Sequence, residues 1–273
     1  MTHSPDGAPG PATALIFHGL AGTPFEVAAV AEALRAEGMA AHTPLLPGHG
    51  AGPEAYLASS FAEWRAFARA EYGRLCARGP VLLGGYSLGG ILALDIAETA
   101  EEDGLPEPAA LLLLATPLRF CAWRRDMRLG GPGSWRFRLL PITARLWPVL
   151  RVPPRSPEAR AAAPWEGHEG LCCLRHFVQM EAALKGIRAR LGRVRTSLCV
   201  IQHVHDASSP PGQAAWLLAR CASREAELHL LRTRSPHGGH LPATHGESRD
   251  RVAEIVRAFA RRCAPARPHR AAL

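Results

Sequence analysis

No stretch of this sequence approaches the roughly 18 consecutive apolar residues needed to cross a bilayer, so nothing in it reads as a membrane span. There is no C-x-x-C, and the seven cysteines, at positions 76, 121, 172, 173, 199, 221 and 263, form an odd, scattered set. That argues against a disulfide framework and a structural zinc centre, and fits a reducing compartment. The opening "MTHSPDGAPGPA" lacks the charged-then-apolar order of a secretory signal, which makes the cytoplasm the expected location. Basic blocks are missing too. The formal charge is +8 from 32 Lys+Arg against 24 Asp+Glu, but the excess is almost all arginine and is spread along the chain. Arginine-rich codon usage accounts for that as well as a nucleic-acid surface would, and no nucleic-acid partner is expected.

What is present is enough apolar material for a sizeable core: 47% of 273 residues. The pattern alternates. "TALIFHG" (13–19) reads as a short buried strand. "TPFEVAAVAEALRAEG" follows as a helix, with Thr23 as N-cap, Pro24 at the first helical position, Glu26 closing a capping box and Gly38 at the end. "AAHTPLLPGHG" reads as a strand running into a loop, and Ser60 with Glu63 opens a second capped helix that ends at Gly79. "VLLGGY" and "AALLLLATP" (109–117) are buried strands separated by a helix. "TSLCVIQHVHD" (196–206), "GQAAWLLARCA", "AELHLLRTRS" and "SRDRVAEIVRAFARRC" then repeat the alternation. Strands alternating with helices of about 10 to 15 residues predict one α/β domain on a mostly parallel sheet. Residues 118–195 break the rhythm with no clear strand, and are expected to form a helical insertion before the last two strands. The insertion's Trp, Phe, Leu, Arg and Pro mixture suits a cover over an apolar pocket. A helical subdomain that merely packs on the sheet, or a membrane-surface segment, would use the same residues. Residues 264–273 read as a flexible tail.

Ser87 stands in "GYSLGG", at the corner between a strand and a helix. Gly85, Ser87 and Gly89 spell G-x-S-x-G, a turn that pushes a serine hydroxyl to its tip. Chance supplies roughly a tenth of such a motif per chain of this composition, so its surroundings must decide what it means. A serine nucleophile needs a histidine base, a carboxylate to orient it, and N–H donors for the developing oxyanion. "FHGLAG" ends the first strand and offers the Leu20 N–H, beside that of Leu88, while His18 reads as a loop-holding residue. Asp206 stands just past a strand end and is preferred as the acid over Asp95 and Asp126. After the last strand, "RSPHGGHLPATHG" presents His237 and His240 as candidate bases. His240 is favoured because Gly238 and Gly239 let the backbone approach, and His245 reads as structural. His203 and His205 flank the acid without an assigned role. These histidines lack H-E-x-x-H spacing, so no metal and no cofactor is expected.

"HGLAG", "LPGHG", "GYSLGG", Asp206 and "GGHLP", in this order and across nearly the whole chain, resemble the α/β-hydrolase superfamily. Within it they are similar to small bacterial carboxylesterases and monoacylglycerol lipases, which carry a short cap after the strand that follows the elbow. The resemblance implies an α/β-hydrolase fold and a triad of Ser87, Asp206 and His240 or His237, with the Leu20 and Leu88 N–H groups as oxyanion hole. The apolar insertion suggests a small ester with an acyl chain or other lipophilic group as substrate. Two departures are local: two histidines follow the last strand, and "QHVHD" stands where a glycine often precedes the aspartate. Thioesterase, amidase and acyltransferase chemistry share the scaffold, and so do non-catalytic ligand-binding relatives.

Overall fold

A computed structural model describes residues 13–120, 139–235 and 237–263. Asp126 and the expected tail therefore lie outside the described residues. Six parallel strands form one sheet: β1 (Thr13–Phe17), β2 (Ala40–His42), β3 (Val81–Tyr86), β4 (Ala110–Leu114), β7 (Ser197–His203) and β8 (Ala226–Leu231), in the spatial order β2-β1-β3-β4-β7-β8. The strands are nearly continuous apolar runs because both faces of the sheet are covered. Alternation along β4 shows it. Leu111 and Leu113 point into one layer, with Trp64 and Tyr72 of α3 (Phe61–Cys76), α4 (Leu88–Thr99) and α7 (Leu174–Arg190). Ala110, Leu112 and Leu114 point into the other, with Leu34 of α1 (Ala28–Ala36) and Ile255 and Phe259 of α9 (Arg249–Cys263).

Ser60 caps α3 as its pattern predicts, its side chain accepting the Glu63 N–H. The first helix differs. Pro24–Val27 forms a single 3-10 turn before α1, and Glu26 turns inward instead of reaching back to its cap. α2 (Pro53–Ala58) has no counterpart in the sequence pattern, because six residues carry too little period to register.

Between β4 and β7 the chain forms α5 (Leu140–Leu146), β5 (Val149–Arg151), α6 (Pro157–Ala162), β6 (Leu171–Cys173) and α7. The expectation of an all-helical insertion needs correction: β5 and β6 pair antiparallel, each only three residues long. α8 (Pro211–Leu218) separates β7 from β8. A short segment of the insertion between β4 and β7, 164–168, lies along the loop after β1. Gly22 and Gly167 form an antiparallel bridge, and His168 N–H donates to the Ala21 carbonyl at 2.8 Å.

Candidate active site

Ser87 sits between β3 and α4 at φ 51°, ψ −112°, a left-handed conformation rare for a residue with a side chain. Its N–H donates to the Leu114 carbonyl at 2.9 Å, which ties the turn to the end of β4. The flanking glycines are there for clearance. A Cβ on Gly85 would lie 2.2 Å from the Gly89 carbonyl carbon, and one on Gly89 would lie 2.1 Å from the Phe17 carbonyl oxygen. Both neighbours are backbone, so neither can step aside.

The hydroxyl is in contact with His240: Nε2 lies 3.0 Å from Ser87 Oγ, and Nδ1 lies 2.7 Å from Asp206 Oδ2. The carboxylate is buried and held on every side. Its Oδ1 accepts the N–H groups of Ser208 at 2.8 Å and Ser209 at 2.9 Å, and its Oδ2 accepts Gln202 Nε2 at 2.9 Å. Gln202 gives little sign of this role along the chain, its only local signal being a polar side chain inside an apolar strand. Burial alone would lower the pKa of His240, but the charge and hydrogen bond of Asp206 outweigh it, with Glu26 adding to them, so the net shift is upward.

The two candidate bases part company. His237 is exposed and touches neither Ser87 nor Asp206; its N–H goes to Ser235 Oγ at 3.2 Å, and its carbonyl receives His245 Nε2 at 3.1 Å. His245 is buried and holds this loop. His203 is buried against Thr233, and its Nδ1 accepts the His205 N–H. Asp95 is occupied elsewhere, paired with Arg65 at 2.6 Å and Arg69 at 3.1 Å.

Leu20 and Leu88 line the same cavity as Ser87, and among the described residues neither N–H is engaged in a hydrogen bond. The loop carrying Leu20 is built on buried imidazoles. His18 accepts the Leu46 N–H on Nε2 at 3.0 Å, so Nδ1 carries the proton and donates to the Gly19 carbonyl at 2.9 Å. His49 accepts the Ala21 N–H at 3.2 Å. Burial pushes His18 down to about 3 and His49 down to about 4, so both are neutral at pH 7.

The cavity over Ser87 measures about 730 Å³ and takes residues from both the sheet edge and the insertion. Leu20, Ile91, Val152, Phe177, Met180 and Leu241 make it largely apolar, while Glu26, Arg155, His205 and His237 supply polar groups. A cavity of this size and lining can enclose a small organic ligand, and Ser87 forms part of its wall. The cluster Cys199, Glu227 and His229 has ligand chemistry suited to a metal. It does not line this cavity, and Glu227 is already paired with Arg262 at 2.6 Å.

A serine on a strained strand-to-helix turn, bonded in series to a histidine and a buried aspartate at one edge of a parallel sheet, defines a hydrolase scaffold. The chain belongs to the alpha/beta hydrolase family, whose profile matches residues 14–255. It is 37% identical over 224 residues to the thermostable monoacylglycerol lipase of Bacillus sp. strain H-257, covering 82% of each chain. Among solved structures it is similar to a chain of the metagenome-derived lipolytic enzymes LipS and LipT, with TM-score 0.74 and 22% identity over 93% of this chain and 96% of that one. The monoacylglycerol lipase of Paleococcus ferrophilus aligns with TM-score 0.70 and 17% identity, over 93% and 96%. A soluble variant of monoglyceride lipase from Saccharomyces cerevisiae aligns with TM-score 0.71 and 13% identity, over 94% and 88%. These structural likenesses show the fold.

Proposed function

We propose that this protein is a carboxylic ester hydrolase of the lipase and esterase type, working through an acyl-enzyme on Ser87. The observation that carries the reading is the continuous chain from Ser87 Oγ to His240 at 3.0 Å and from His240 to Asp206 at 2.7 Å. His240 Nε2 takes the serine proton as Oγ bonds to the acyl carbon, and Asp206 holds the imidazole and balances the imidazolium. The Leu20 and Leu88 N–H groups receive the negative oxygen; each such donor is worth about 2.7 to 4 kcal/mol in related chemistry. As the tetrahedral centre collapses, the ester C–O bond breaks and His240 returns the proton to the departing alcohol. A water molecule, deprotonated by the same imidazole, then releases the carboxylic acid and restores Ser87.

Residues 139–195 of the insertion act as the cap. The apolar wall of Phe177, Met180 and Val152 suits a lipophilic acyl chain, and the polar groups of Arg155, His205 and His237 suit a small hydroxylated alcohol. A monoacylglycerol-like ester has both ends, and the 37% identity to the Bacillus lipase supports it. Among the described residues six cysteines, Cys76, Cys172, Cys173, Cys199, Cys221 and Cys263, carry free thiols, which supports a cytoplasmic location.

The test is hydrolysis of p-nitrophenyl esters of graded chain length, with labelling by a serine-directed fluorophosphonate, in the native protein and in Ser87→Ala. Turnover and labelling are expected in the native protein alone. Equal turnover by Ser87→Ala would reject the mechanism.

A further inference from the structure

Glu26 is buried beside the site, and the ester-cleaving chemistry does not use it. Its Oε2 accepts the Gly19 N–H at 2.6 Å, and its Oε1 accepts the indole N–H of Trp165, a residue of the insertion. The motif is shaped around this carboxyl group. A Cβ on Gly22 would lie 2.4 to 2.5 Å from its carbon and both oxygens, and one on Gly19 would lie 3.1 Å from Oε2. Gly22 is therefore glycine to admit a side chain four residues further on.

Gly19 lies between two peptide planes that set the direction of the Leu20 N–H. A glycine leaves both torsions soft, so something must hold the planes. Glu26 holds the one before, through the Gly19 N–H, and His18 holds the one after, through the Gly19 carbonyl at 2.9 Å. The same carboxyl group grips Trp165, beside the Gly22 to Gly167 bridge that straps the insertion to this loop. We propose that Glu26 is a positioning residue that couples seating of the insertion to the aim of the Leu20 N–H, so that the oxyanion donor is in place when Trp165 is docked. This rests on the ester-hydrolase reading above.

A carboxylate meets this geometry and an amide does not. Both neighbours are donors, each on its own oxygen, whereas glutamine has one oxygen and would turn its NH₂ toward the other N–H. Protonation would spoil the fork in a similar way. Burial raises Glu26 to about 7 against the opposing pull of Gly19, Trp165 and His240, so the fork is complete only above neutral pH. The groups facing it are His240 from the loop after β8 and Tyr86 from β3, with Arg155 of the insertion acting on Tyr86.

The experiment compares wild type, Glu26→Gln, Trp165→Phe and the double variant on a short-chain p-nitrophenyl ester across pH, with thermal unfolding alongside. Glu26→Gln is expected to lower kcat about 10- to 100-fold with little change in KM, a partial loss of one oxyanion donor. Trp165→Phe is expected to lower kcat less, and the double variant to be no worse than Glu26→Gln, because the two act as one link. The acid limb of kcat should report two ionisations in wild type, from Glu26 and His240, and one in Glu26→Gln. An active wild type with Glu26→Gln unchanged in kcat and acid limb, or with strictly additive losses, overturns the proposal alone. A wild type without ester turnover overturns the ester-hydrolase reading and this proposal with it.

Discussion

Asp206 lies 2.7 Å from Nδ1 of His240, and that one contact separates His240 from His237, the other histidine of the same loop. An imidazole bonded to a buried carboxylate through Nδ1 has a fixed tautomer and offers Nε2 to the serine. An imidazole that hands only its backbone to its neighbours has neither property.

The two histidines should therefore behave differently on substitution. His240→Ala is expected to lower kcat for p-nitrophenyl esters by about 10⁴-fold or more, in line with loss of a triad member. His237→Ala, at the exposed wall of the cavity, should change KM for some alcohols and leave kcat near wild type. Steady-state kinetics of both variants decides it; the reverse ranking would move the base to His237.

Gln202 should matter to the acid it steadies. Its Nε2 bonds Asp206 Oδ2 at 2.9 Å and the Ser209 carbonyl at 2.6 Å, inside a buried strand. Gln202→Leu removes a hydrogen bond to a charged group, worth about 1.5 to 3 kcal/mol. We expect kcat/KM to fall about 10- to 100-fold while the unfolding midpoint drops by only a few degrees, as read from kinetics and calorimetry.

Stability should fall on mild acidification. His18, His49 and His176 are all buried, at about 3, 4 and 4 against an unfolded value of 6.5. The unfolded chain takes up protons that the native one refuses, so the stability they confer is whole above pH 6.5 and lost as pH falls toward 4. One such imidazole is worth on the order of 3 kcal/mol across that window. Two buried carboxyls work in the opposite sense, Glu26, raised to about 7, between pH 7 and 4.5, and Glu98, raised by burial to about 9, between pH 9 and 4.5, two groups against three. Thermal unfolding between pH 6.5 and 4, where all three imidazoles act against the two carboxyls, should show a net fall; a midpoint that rises across this window would contradict the burial of these imidazoles.

Gly89→Ala should be among the costliest single substitutions in the chain. The new methyl would meet the Phe17 carbonyl oxygen at 2.1 Å, and relief requires moving β1 against α4. Overpacking of this kind costs about 1 to 3 kcal/mol or more. Chemical denaturation should show it directly, and an unchanged midpoint would mean that the turn is looser than its geometry.

Much of this molecule is legible along the chain. The apolar runs of β3 and β4, the capping box at Ser60 and Glu63, and the glycines around Ser87 are local patterns, fixed by residue period and by clearance within a few positions. They determine the α/β alternation, the parallel sheet and the serine at the tip of its turn. The three-residue strands β5 and β6 and the six-residue α2 were missed because so few residues carry no readable period.

What the tertiary structure alone decided lies in contacts between distant positions. Ser87 meets His240 across 153 residues, and Glu26 meets Trp165 across 139. Sequence period describes which face of an element is apolar; it does not say which of two histidines in one loop reaches a carboxylate, or that a glutamate with good capping spacing will turn inward. Those outcomes depend on where the strand ends and the insertion converge, where each buried donor must find an acceptor.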